Sequence, residues 1–204
     1  MEINDRNVKG YPIVFNSLSN TLETYIDGWV EFNEITLPTS FANINLGTED
    51  IILNIEHNDS MILARNINGK GLEPTLRLEI DSTGLFIDAD VPDTQLGTDV
   101  LKMLNRGDLT QMSSRFRVAK DRWYRDANDR LIREIQEFKH IRDVSLVSRP
   151  AYSMTVAQED KRSLETFLLD EKRQIQEKDE DRNTKNDNNV ALSEYYILKN
   201  KYMR

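Results

Sequence analysis

Three segments of this chain carry side chains that together could break an acyl bond. His57 follows the apolar segment 51–55 and precedes turn-forming residues, so its imidazole is expected at the end of a strand. An imidazole titrates near neutral pH and can accept a proton from a hydroxyl. Ser113 and Asp143 would supply the hydroxyl and a carboxylate, but both lie far from His57 in the sequence. Joint chemistry therefore requires a fold that brings the three together.

The candidate hydroxyls belong to two adjacent serines in the segment 107–118. Strand alternation places Ser113 on the face that carries Arg115, and it places Ser114 on the opposite face with Phe116. A nucleophilic serine needs a base within hydrogen-bonding reach and donors for the developing oxyanion. Ser113 is therefore the first candidate nucleophile, and Ser114 is the alternative.

Two residues are candidates for the group that orients the imidazole. Asp143 opens an alternating segment, and a carboxylate there could hold His57 and stabilise its protonated form. His140 is the alternative. Its basic neighbours Lys139 and Arg142 disfavour a positively charged imidazole beside them, so we rank it below Asp143. Arg149 could support a peptide group or a water that stabilises an oxyanion.

The elements that would position these residues are short strands separated by turn signals. An amphipathic segment between residues 93 and 106 predicts a helix that ends at Gly107. This pattern predicts a mainly β protein with peripheral helices (α+β), built on a closed or partly closed β-barrel of about seven strands. The expected strands are 11–15, 29–35, 51–55, 75–80, 85–91, 109–118, 130–138 and 144–147.

Composition divides the chain into a folded region and a tail. Residues 1–157 have the strand pattern, whereas residues 158–204 form a charged segment that is expected to be partly helical or disordered. Within the tail, a sparse apolar stripe predicts one amphipathic helix over residues 158–182. The polar run 183–189 that follows is expected to be a linker.

Composition also excludes several classes of function. The 204 residues include 27 basic and 35 acidic side chains, and a net charge of -8 argues against generic binding to nucleic acid or anionic membranes. Cysteine is absent and there are two histidines, which excludes disulfides and a cysteine nucleophile and disfavours a metal site. No apolar run approaches the roughly 20 residues that span a bilayer. A soluble, cytosol-compatible protein is expected, and any chemistry would use oxygen nucleophiles, carboxylates or one histidine.

Taken in order, these segments resemble the caudovirus prohead protease family, the capsid-maturation serine proteases of tailed phages. The family pattern has a strand that ends in histidine, a hairpin, a helix that ends in glycine, a G-x-S-x-G-F/Y strand and an E-V-S-L-V-x-x-P-A segment. The resemblance covers roughly residues 10–157. The corresponding segments here are 51–57, 78–85, 103–107, 111–116 and 143–151, preceded by an opening strand and loop at 28–41.

The resemblance implies a fold similar to that of the herpesvirus assemblin-type proteases. It makes Ser113 the nucleophile, His57 the general base and Asp143 the third member, at a position where the family usually has glutamate. Gln111 and Arg115 stand where the pattern has glycines. For the third member of the triad, His140 remains the alternative to Asp143.

The implied activity is that of a serine endopeptidase in the assembling prohead, within the cytoplasm of a bacterial host, and it requires no metal or organic cofactor. Its substrates would be scaffold or major capsid protein and its own tail, and a homodimer is expected by analogy with the assemblins. An alternative is a non-catalytic assembly protein that keeps the fold as a binding module, because both glycines and the glutamate are replaced. An unrelated soluble β-rich domain is a third alternative.

Overall fold

The computed structural model of the protein describes residues 1–67, 69–148 and 161–177. This part of the chain is mainly β, as the sequence predicts, and it has a short 3-10 helix (Pro38–Phe41) and the helices α1 (Gln95–Arg106) and α2 (residues 161–177). Its ten strands are β1 (Glu2–Asn4), β2 (Asn7–Val14), β3 (Leu22–Tyr25), β4 (Trp29–Thr36), β5 (Ile52–Ile55), β6 (Ala64–Arg65), β7 (Leu76–Ile80), β8 (Gly84–Asp90), β9 (Gln111–Arg125) and β10 (Leu131–Val147).

The strands form two sheets. The first has the order β1-β2-β8-β7, and the second has the order β3-β4-β10-β5-β6 with β9 paired to β10. Among the described residues the strand pairings do not close either sheet, so the predicted barrel is not confirmed. The ten strands also exceed the eight segments expected, because β1, β3 and β6 are only two to four residues long and give little pattern in the sequence.

Strand β10 organises the second sheet. It pairs antiparallel with β9 from Leu131 to Val147, and its other edge pairs in parallel first with β4 and then with β5. The sequence predicts two separate strands here, but the structure has one continuous strand of 17 residues. Register shifts interrupt the β9–β10 pairing, including one between Ile141 and Asp143, and these disturb the alternation on which the sequence prediction depends.

Apolar side chains from both sheets and from α1 share one core. Helix α1 buries Val100, Leu101 and Leu104, begins after Thr94 and ends at Gly107, whose φ of 83° is the left-handed conformation expected of a C-cap glycine. Gly84 is required by close packing, since a Cβ there would lie 1.9 Å from the carbonyl oxygen of Ile13. The predicted helix and its glycine stop are confirmed.

The chain divides into a first compact unit, Met1–Ser163, and a second, Leu164–Arg204. The helix predicted for the tail is present as α2, and the predicted linker 183–189 lies outside the described residues. No helix in the described ranges combines the length and the apolar character needed to cross a membrane. The division into domains 1–157 and 158–204 stays a prediction.

Candidate active site

The candidate site lies on one face of three neighbouring strands. In the pairing register Ser113 of β9 lies opposite Ser145 of β10, and Arg115 lies opposite Asp143. Residues opposite one another share a sheet face, so these four side chains lie together. The opposite face carries apolar residues of the core such as Leu146. Alternation along β9 and β10 therefore separates the polar site from the core.

His57 reaches this face from a tight turn directly after β5. Glu56 and His57 have φ values of 49° and 55°, a left-handed conformation that non-glycine residues rarely adopt. Three hydrogen bonds hold the turn: Glu56 N–H to the carbonyl of Leu146 (3.0 Å), His57 N–H to Ser145 Oγ (2.9 Å), and Ser148 N–H to the Glu56 carboxylate (2.7 Å). A residue in this conformation costs about 1–3 kcal/mol, and it persists only where surrounding contacts fix the backbone, which is often the case at functional sites.

The three candidate residues meet in a hydrogen-bonded chain. His57 Nδ1 lies 2.6 Å from Asp143 Oδ1, and His57 Nε2 lies 3.0 Å from Ser113 Oγ. An ionised carboxylate only accepts hydrogen bonds, so the proton belongs on Nδ1 and the lone pair on Nε2 faces the serine hydroxyl. This arrangement can move a proton from Ser113 to His57.

The carboxylate of Asp143 is completely buried, and both of its oxygens have partners. Oδ1 accepts from His57, and Oδ2 accepts from Nε of Arg115 at 2.5 Å. A buried carboxylate without such partners would be strongly unfavourable. Desolvation opposes the charge of Arg115, but its hydrogen bonds to Asp143 and Asp59 outweigh this and raise its pKa above the ordinary value. Arg115 is thus a permanent cation next to the site.

The alternatives left open by the sequence lie elsewhere. Ser114 is buried on the other face of β9, opposite Val144, and its neighbour Ser113 makes the contact with His57. The imidazole of His140 contacts Glu49. Arg149 lies outside the described residues. The structure therefore brings together Ser113, His57 and Asp143, the first choice for each role.

Comparison with known families places the chain in one of them. A family model described as Caudovirus prohead serine protease matches residues 1–170. The chain belongs to this family. No curated protein matches the chain. Membership of a family of serine proteases supports a peptidase function and a role in capsid maturation.

In this member of the prohead serine protease family, a cavity of about 310 Å³ lies next to Ser113, the candidate nucleophile. Ser113 lines it, together with apolar side chains from β2, from the following loop and from β9, among them Ile13, Leu18 and Met112. The carboxylate of Glu34 also lines it and accepts a hydrogen bond from Arg133 at 3.0 Å. The wall therefore has apolar and polar parts in similar share, and its one carboxylate is ion-paired, which suits an uncharged side chain of a substrate.

Sequence reasoning missed two residues that support the site. Ser145 is fully buried and accepts the His57 N–H, a contact indicated only by its polar position between apolar residues of β10. Asp59, two residues beyond His57, accepts a hydrogen bond from Arg115 and another from Arg142. Strand alternation places Arg115 on the face of Ser113, and the family pattern has a glycine at its position, but neither reveals the partners of its long side chain.

Proposed function

We propose that the protein is a serine endopeptidase that cleaves scaffold or major capsid protein during prohead maturation. One observation carries the proposal: the imidazole of His57 has a carboxylate on Nδ1 and a serine hydroxyl on Nε2. Such a pair of contacts is the arrangement by which an imidazole activates a serine. The membership of the chain in the prohead serine protease family supports the choice of peptide substrates.

In the proposed reaction, Ser113 Oγ attacks the carbonyl carbon of the peptide bond as its proton passes to His57 Nε2. Asp143 stabilises the imidazolium that forms and keeps its ring in place. The tetrahedral intermediate then expels the amine, which receives the proton from Nε2, and an acyl ester on Ser113 remains. The same imidazole takes a proton from water, which hydrolyses the ester and regenerates the hydroxyl.

We further propose that the substrates are proteins of the assembling capsid and that the tail, residues 158–204, is itself a substrate. The enzyme would act inside the prohead in the host cytoplasm, as a homodimer. Confinement in a shell raises the local concentration of enzyme and substrate, so weak intrinsic affinity suffices.

The experiment is co-expression with the capsid and scaffold proteins of the same phage, followed by mass spectrometry of all chains. Wild-type protein should convert at least one partner to shorter products and reveal the cut sites and any loss of the tail. A variant with Ser113→Ala and Ser114→Ala together should leave the masses unchanged. Undiminished cleavage by that variant would reject a serine mechanism, and binding without cleavage by the wild type would favour the non-catalytic assembly protein.

The cavity gives a prediction about substrate recognition. Leu18 lines it and is partly exposed, so Leu18→Trp should fill space that a substrate side chain needs. We expect kcat/KM for a peptide that contains the cut site to fall by about tenfold, mainly through KM. Leu72→Trp, at an exposed leucine that does not line the cavity, is the matched control and should leave KM unchanged. Equal KM values for Leu18→Trp and Leu72→Trp would show that the cavity does not bind the substrate side chain.

A further inference from the structure

The side chain of Arg115 joins the three segments that carry the candidate triad. It projects from β9, two residues after Ser113, and its Nε donates to Asp143 Oδ2 on β10. Its Nη2 donates to Asp59 in the turn that follows His57. One guanidinium thus makes two charge-assisted hydrogen bonds to two different segments. Such bonds are roughly twice as strong as neutral ones and fix the geometry of both partners.

Arg115 determines which oxygen of Asp143 is available to the imidazole. A short carboxylate can rotate about its last torsion, which is soft and roughly two-fold. With Oδ2 held at 2.5 Å by Arg115, the group is turned so that Oδ1 faces His57 Nδ1 at 2.6 Å. The guanidinium also compensates the buried negative charge of Asp143. Without Arg115, the imidazole of His57 would be the only one of these two partners left to stabilise that charge.

Asp59 in turn determines where the guanidinium lies. The side chain of Arg115 is one-third exposed and long, so a single contact to Asp143 would leave its orientation free. Asp59 removes this freedom, and it is itself held by Arg142, whose Nη2 donates to its second oxygen at 2.6 Å. The hydrogen bonds from Arg142 and Arg115 lower the pKa of Asp59, although desolvation opposes this, so the carboxylate stays ionised at neutral pH.

We propose that Arg115 and Asp59 are positioning residues of the active site, which hold Asp143 in the orientation that His57 needs to activate Ser113. The inference rests on the proposed serine mechanism. Asp59 acts only through Arg115, and Arg115 acts only through Asp143. Neither residue exchanges a proton with the substrate.

The test uses the full chain and a small phosphonofluoridate that labels activated serines, with the adduct followed by intact mass. Arg115→Met removes both hydrogen bonds at similar side-chain length and should slow labelling of Ser113 by about 10- to 100-fold. Arg115→Lys keeps the charge and should recover part of this loss. Arg117→Met, two residues along β9 and paired with His140, is the matched control and should label at the wild-type rate.

A double-mutant cycle distinguishes positioning from general support of the fold. Asp59→Asn alone should slow labelling by about threefold to tenfold, and it should have no further effect in the Arg115→Met background. The far-downfield proton resonance of His57 Nδ1–H should weaken or shift in Arg115→Met and stay unchanged in Arg117→Met. Circular dichroism at the assay temperature verifies that each variant is folded.

Each result bears on one claim. Labelling of Arg115→Met at the wild-type rate would overturn the inference, and so would an effect of Asp59→Asn that persists in full without Arg115. An unchanged Nδ1 resonance in Arg115→Met would likewise contradict it. If wild-type protein neither labels at Ser113 nor cleaves, the proposed function fails; if wild type labels and Arg115→Met labels equally, only the positioning role fails.

Discussion

Ser113→Ala is expected to lower peptide-bond cleavage by about 10⁴- to 10⁶-fold. The hydroxyl of Ser113 is the group that His57 Nε2 contacts at 3.0 Å, and alanine leaves no atom to form the acyl ester. The measurement is the rate of cleavage of a peptide that contains a mapped cut site. Little effect on the free energy of unfolding is expected, because the hydroxyl lies at the surface of the site and outside the core.

Ser114→Ala is the matched control for this prediction. It removes a hydroxyl from the adjacent residue, which is buried opposite Val144 and lines the same cavity, whereas Ser113 makes the contact with His57. Its rate should remain within a few-fold of wild type. If Ser114→Ala abolished cleavage while Ser113→Ala retained it, the hydroxyl assignment would be wrong.

Asp143→Asn is expected to lower kcat by about 10⁴-fold, because it inverts the hydrogen-bonding pattern of the imidazole. Arg115 only donates, so the amide oxygen of an asparagine at this position would face Arg115 Nε, and its NH₂ group would face His57 Nδ1. Nδ1 would then have to accept and Nε2 would carry the proton. In that tautomer the imidazole cannot take the proton of Ser113.

The measurement is the kcat of Asp143→Asn beside that of Asp121→Asn. Asp121 also accepts a hydrogen bond from an arginine Nε, that of Arg133 at 2.8 Å, but it lies on β9, toward the opposite end of that strand from Ser113. The two variants should lose comparable stability, and only Asp143→Asn should lose activity. Comparable kcat values for both would contradict the role of Asp143 in orienting the imidazole.

Much of the site could be predicted from the sequence because strand alternation is a local rule. It separates Ser113 from Ser114 and Asp143 from Val144 without knowledge of the partners of each strand. The end of β5 at Ile55, two residues before His57, is likewise marked by an apolar run followed by turn residues. The order of these segments, together with the family pattern, indicates that they meet, and in the structure His57 lies within hydrogen-bonding distance of Ser113 and Asp143. The catalytic roles of the three residues stay predictions.

Other features depend on contacts that no local pattern contains. The continuity of β10 through residues 139–142 is hidden because register shifts break the alternation and charged side chains there resemble a turn. The left-handed backbone at Glu56 and His57 is maintained by contacts with Ser145 and Leu146, about 90 positions away. Arg115 contacts Asp143 and Asp59 only when the three segments that carry them lie together in the fold. Tertiary contacts of this kind override local preference.

The most direct test of the central claim is to identify the atom that reacts with a serine-directed phosphonofluoridate. Wild-type protein is incubated with the reagent, digested and mapped by tandem mass spectrometry, with His57→Ala treated in parallel. The account predicts one adduct on Ser113 in the wild type, loss of cleavage in proportion to labelling, and almost no adduct in His57→Ala. An adduct on another residue, or cleavage that continues after Ser113 is fully labelled, would contradict it.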